Sequence, residues 1–151
     1  MYGQNAVVVP DVVRQGLYTD FSSISSAKWT QESADVFRAD FTIYKNKHSY
    51  MARYNRQGHW LEKKVEMEFA RLPMSVIETI VQRFQNFKPT SSIRIEQRDQ
   101  NTVFHVTLEK WQPGDEFRQT YSIDISPEGE LLGTAEVQLE RATGPAIKTP
   151  F

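Results

Sequence analysis

The chain has 151 residues, 39 % hydrophobic and 25 % charged, with a net charge of −1, which suits one globular domain with a buried core. Near-neutral charge argues against nucleic acid as the main partner, because phosphate binding needs a basic stripe, and no run approaches the roughly 18 apolar residues of a membrane span. Cysteine is absent, which excludes a disulfide framework and any cysteine-based metal site or nucleophile.

The opening Met1-Tyr2-Gly3-Gln4 has no basic or long apolar stretch, so it fits either a cytosolic chain or one whose signal peptide is missing from the sequence. Residues 1–8 read as a lead. From Val9 an apolar residue falls every fourth place, through Val13 and Leu17 to Phe21, the stripe of an amphipathic helix. Pro10 sits in its first turn, where a missing N–H is harmless. Gly16 costs such a helix about 1 kcal/mol relative to alanine.

The period then changes to two. Phe37, Ala39, Phe41 and Ile43 alternate with Arg38, Asp40 and Thr42; Tyr50, Ala52 and Tyr54 follow, then Leu61, Val65, Met67 and Phe69. These read as antiparallel strands with one buried and one wet face. Asn55-Arg56-Gln57-Gly58 reads as a hairpin turn closed by glycine, and Asn46-Lys47 marks another.

The pattern then recurs. Leu72, Val76, Ile80 and Phe84 repeat the helical stripe 63 residues on, with Pro73 where Pro10 stood. Strand alternation returns at Ile93 and Ile95, at Phe104 to Leu108, at Tyr121 to Ile125 and at Ala135 to Leu139. Ser126-Pro127-Glu128-Gly129 repeats the glycine turn, and turns are also expected at Asp99-Gln100-Asn101 and Gln112-Pro113-Gly114-Asp115. The expected fold is therefore α+β: a two-layer tandem duplication of a helix plus about four antiparallel strands, with the helices on one face of a curved sheet. One duplicated domain spans 9–141, with repeats over about 9–69 and 72–141. Residues 142–151 read as a tail.

Specific residues carry a family resemblance. The stretch Val9-Pro10-x-x-Val13, Phe21 and Ala27-Lys28-Trp29 resembles the start of PepSY-like, β-lactamase-inhibitor-protein-like (BLIP-like) domains of exported Bacteroidetes-type proteins. The match runs through Phe37-x-Ala39-x-Phe41 and Ala52-x-Tyr54-Asn55-x-x-Gly58-x-Trp60-Leu61, resumes at Leu72-Pro73-x-x-Val76 and closes at Ile125-Ser126-x-x-Gly129-x-Leu131-Leu132. The sequence departs from that pattern in its weaker first helix, with Gly16 and Thr19, and in Ser22 to Ser26, which lack a Pro-Gly. The resemblance implies a periplasmic or extracellular location and a binding role, such as inhibiting or modulating a secreted or periplasmic enzyme.

No catalytic signature stands out. The turn at 55–58 is read as placing His59 opposite Tyr54, which separates His59 from His48; His105 belongs to the other repeat, so no three-histidine metal site is expected. Glu62, Glu66 and Glu68 share a strand face with Lys64 and read as a solvated face rather than paired catalytic carboxylates. Neither a nucleophile elbow nor a glycine-rich phosphate loop is present. The chain is therefore read as non-enzymatic, with no cofactor and no metal.

The sheet face opposite the helices carries more. Strand parity places Arg38, Asp40, Tyr44, Met51, Arg53 and Trp60 there, joined by His105, Trp111, Arg118 and Thr120. Trp, Tyr and Arg dominate protein-binding hot spots. Trp60, Trp111, Tyr44, Arg38, Arg53 and Met51 are the candidate partner-binding residues, for a protein or peptide, with the chain a monomer or weak homodimer. Mixed charge argues against single-stranded RNA stacking on this face. Trp29 and Phe37 fall on the core parity. The alternative is a small-molecule or lipid-binding module, its ligand held between sheet and helices by Phe37, Phe41, Tyr50 and Tyr121. A hydrolase would need a cleft of polar groups with perturbed pKa values.

Overall fold

The structure, a computed structural model, describes residues 7–142; residues 1–6 of the expected lead and 143–151 of the expected tail lie outside them. Two ten-residue helices, α1 (Asp11–Asp20) and α2 (Met74–Arg83), accompany eight strands. The strands are β1 (Ile24–Ser33), β2 (Val36–Ile43), β3 (Asn46–Asn55), β4 (Trp60–Glu66), β5 (Lys88–Gln97), β6 (Val103–Lys110), β7 (Phe117–Ile125) and β8 (Leu131–Arg141).

The chain divides into two compact units. The first runs to Val65 and takes in Gln97–Asp99; the second holds Glu66–Glu96 and the chain from Gln100 on. In the first, β1, β2, β3 and β4 pair in sequence order, each antiparallel to the next. In the second, β5, β6, β7 and β8 do the same.

This corrects the expected two-layer α+β duplication: the fold is mostly β. The helical stripe is a strong signal, but it covers ten residues and buries few side chains. Val13 and Leu17 are the buried residues of α1; Val76 and Ile80 are those of α2. Strand side chains make up most of each core. Phe37, Ala39, Phe41, Ala52 and Tyr54 supply most of the first, with Trp29 packed against it. Phe104, Val106, Leu108, Ile123 and Ile125 do the same in the second. Strand formation also exceeds the expectation at Ser25 and Ser26, which lie inside β1, where Ala27 and Trp29 supply the inward side chains. Phe69 leaves the strand pattern for a short 3₁₀ turn, Phe69–Arg71.

The two glycine turns form as expected. Gly58 N donates to Asn55 O at 3.0 Å and Gly129 N to Ser126 O at 2.9 Å. Both glycines have positive φ, +87° and +90°, which a residue with a Cβ rarely adopts. Each turn lies against its unit's helix, and this contact positions the candidate site.

Candidate functional site

The β3–β4 turn decides where Trp60 goes. Asn55 N donates to His59 O at 2.9 Å, and the Asn55 Oδ1 accepts from the Gln57 and His59 amides at 3.0 Å each. Tyr54 therefore pairs with Trp60, not with His59. A bulge follows, so that Arg53 pairs with Glu62. One residue of register flips a side chain to the other face of a sheet. Trp60 thus lies on the α1 face, partly buried against the first core, and the open-face placement expected for it is corrected.

Around Trp60 the first unit builds a polar and aromatic cluster. The Lys63 ammonium sits 4.6 Å from the Trp60 ring centroid and 5.6 Å from that of Phe21, distances suited to cation–π attraction. It lies 3.6 Å from the Asp20 carboxylate. The Tyr54 hydroxyl donates to the same carboxylate at 2.9 Å. Burial, helped by that bond to Asp20, pushes the Tyr54 hydroxyl far above its ordinary pKa, so it stays protonated.

Beside this cluster runs an open cleft of about 460 Å³. Val12, Gln15, Gly16 and Thr19 of α1 form one wall; His59 and Trp60, following Gly58, form another; Asp20 and Arg98 complete the lining. It lies elsewhere than the cavity expected between sheet and helices. Phe37 and Phe41 are buried, and Phe41 stacks on Tyr50 at 5.4 Å. Tyr121 belongs to the second core, against Phe84 and Phe87. Phe37, Phe41 and Tyr50 thus belong to the first core and Tyr121 to the second.

On the opposite face of the first unit, Arg38 and Arg53 face each other across β2 and β3, both already engaged. Arg38 bonds Asp40 through two guanidinium nitrogens at 3.0 Å. Arg53 reaches Glu32 at 2.5 Å and also bonds Glu62; Glu62 accepts from Gln97 at 2.6 Å. The hydrogen bond from Arg53 holds the Glu32 carboxyl below its ordinary 4.5. The same bond raises the Arg53 pKa. Met51 is 0 % exposed and cannot meet a partner, a second correction: strand parity gave its face but not its cover. Tyr44 lies in the β2–β3 turn and is 75 % exposed.

In the second unit Trp111 follows β6 and is 38 % exposed. Its ring lies 5.7 Å from the Arg118 guanidinium, which sits 2.9 Å from Glu109. Its indole N–H donates to Asp115 O at 3.4 Å. His105 pairs with Asp124 at 2.6 Å. Among the described residues no three His, Cys, Asp or Glu side chains gather in metal-binding fashion. The face expected for Glu62, Glu66 and Glu68 does not hold as one row: Glu68 lies beyond β4 and pairs with Arg71 at 3.9 Å.

No protein-family model matches the sequence, and no curated protein matches it. Solved structures do match. A candidate periplasmic protein from Bacteroides eggerthii is 17 % identical, with a TM-score of 0.66, covering 88 % of this chain and 90 % of its own. A DUF2874 family protein from Bacteroides ovatus is 16 % identical, with a TM-score of 0.66 over 87 % and 89 %. A BLIP-like protein from Bacteroides fragilis is 18 % identical, with a TM-score of 0.65 over 95 % and 94 %. The expected PepSY-like label gains no support from these likenesses. At these identities the likeness is one of fold, and the chain shares the fold of these BLIP-like and DUF2874 proteins of Bacteroides.

Proposed function

We propose that the chain is a non-enzymatic binding protein of an exported compartment that engages a protein partner, as a modulator or inhibitor of a secreted or periplasmic enzyme. The observation that carries this reading is the mounting of Trp111. Its half-exposed ring is braced by Arg118 and tethered through its indole N–H. A partly exposed tryptophan beside an arginine has the composition of a binding hot spot. The fold shared with a BLIP-like protein and the candidate periplasmic character of another neighbour point the same way. Among the described residues no helix is long and apolar enough to cross a membrane.

Arg38 and Arg53 stay in this reading on the open face of the first unit, as a charge pattern for recognition rather than as free cations, and Tyr44 stays as an exposed residue of the β2–β3 turn. Trp60 and Met51 leave it, one by its face and the other by its burial. The test is an affinity capture from periplasmic and secreted fractions with wild type and Trp111→Ala, followed by calorimetry on the captured protein. Truncating a central aromatic should weaken binding by about 2 kcal/mol or more. Equal affinity of the two proteins would remove Trp111 from the binding surface.

A further inference from the structure

We propose that the cleft between α1 and the β3–β4 turn binds the C-terminal end of a peptide, with Arg98 taking the carboxylate and Val12 and Trp60 taking the last side chain. Charge is the first argument. Asp20, the acidic residue of the lining, is already matched by Lys63 and by the Tyr54 hydroxyl. Arg98 is exposed, and among the described residues no carboxylate pairs with it. The unmatched charge in the cleft is therefore positive, and a guanidinium fork suits a carboxylate.

The rest of the lining suits a short peptide better than a bare organic acid. Val12 is 46 % exposed and, with the Trp60 ring, offers an apolar wall. Lys63 lies over that ring and helps to fix its position. Gln15 and Thr19 stand one helical turn apart along the cleft, about 6 Å, which is close to the spacing of alternate peptide groups in an extended chain. The volume of about 460 Å³ lies within the range of small-ligand sites.

In the second unit hydrogen bonds occupy the matching edge of helix and turn, an independent observation. Ser75 and Thr79 stand 63 residues after Val12 and Gly16. Their hydroxyls bond Pro127 O at 2.5 Å and Gly129 O at 2.8 Å, stapling helix to turn. In the first unit the same two places hold a valine and a glycine, which leave the cleft edge without such bonds.

The site is built from the first unit and Trp111 belongs to the second, so failure here leaves that reading in place. The experiment is an NMR titration of the isotope-labelled full chain with N-acetyl-Ala-Ala-Leu bearing a free carboxylate, against its C-terminal amide and against N-acetyl-leucine. Expected are shifts at Gly16, Gly58, His59 and the Trp60 indole, with Kd of about 1 mM or tighter. Amidation should weaken binding about tenfold, as should Arg98→Gln, while Arg98→Glu should weaken it further. Arg14→Glu, also exposed on α1 but outside the lining, should leave it unchanged. The proposal is overturned by absence of those shifts, by equal binding of the amide, by wild-type binding in both Arg98 variants, or by N-acetyl-leucine binding as tightly as the peptide.

Discussion

The two units solve one packing problem with different chemistry. In both, a proline-started helix lies against a glycine turn. A Cβ on Gly58 would fall 2.6 Å from Val12 O, and a Cβ on Gly129 would fall 2.6 Å from Ser75 O. Both turns therefore need glycine for approach as well as for φ. The helix sides differ. In the first unit the turn comes so close that a Cβ on Gly16 would meet Gly58 O at 2.7 Å. In the second, Thr79 occupies the matching place and donates to Gly129 O. The first contact is made by omitting side chains, the second by hydrogen bonding. In the first unit a cleft lies beside the turn, with an exposed valine on its wall.

The largest effects should come from adding atoms where the backbones touch. Gly58→Ala and Gly129→Ala combine a positive φ with a clash against helix backbone, and each should cost about 2–3 kcal/mol in urea unfolding. Gly114 also has positive φ, +101°, but its Cβ would meet nothing within 4 Å, so Gly114→Ala should cost only about 1 kcal/mol. Equal losses at all three glycines would mean that φ alone, not close approach, selects them. Gly16→Ala separates propensity from packing. An unhindered helix would gain about 1 kcal/mol from that change, whereas the clash with Gly58 O should make the protein less stable.

A smaller effect is expected from the hydroxyl staples. Ser75→Ala and Thr79→Ala should each lose about 1 kcal/mol, and the double variant should depart from additivity because both hydroxyls hold the same turn. Val12→Ala in the first unit removes no hydrogen bond and should change stability less. If Val12→Ala cost as much as Thr79→Ala, the contrast between an open and a stapled groove would fail.

Much of this was readable in the residues. Pro10 and Pro73 mark the helix starts, and Gly58 and Gly129 mark the turns, because each position demands backbone geometry that few residues supply. The alternation from Phe37 to Phe41 and from Phe104 to Leu108 gives the inward faces correctly. What misled was weight: the four-residue stripe of each helix is vivid, yet eight strands carry most of both cores. The Trp60 error has a local cause. A hairpin's parity depends on one pairing at its turn, and a bulge then changes it again; Asn55 sets that pairing through its side chain, which no alternation pattern records. Met51 shows the other limit, since period two gives the face of a residue and not what lies over it. Gly16 is the signal that could have found the cleft: a glycine inside a helix, at the place where the later stripe carries a threonine.

The open faces extend the comparison to charge, where the expected effect is smallest. Arg118 in the second unit lies against Glu109, whereas Arg53 in the first joins Glu32 on β1 to Glu62 on β4. Arg53 therefore ties three strands of its unit together. Because Arg53 lowers the Glu32 pKa from 4.5, the folded state favours the ionised carboxylate. That contribution is complete above the unfolded pKa and is lost as pH falls through the lower folded value. Glu32→Gln should thus be less stable than wild type at pH 7, and the gap should close as the medium is acidified below about 4.5. Exposure and screening keep the gap small, so chemical denaturation at low ionic strength is the suitable measurement. Stability curves that stay parallel from neutral to acid pH would show that β1 is held by its ladder and by Trp29, not by the ion pair at its end.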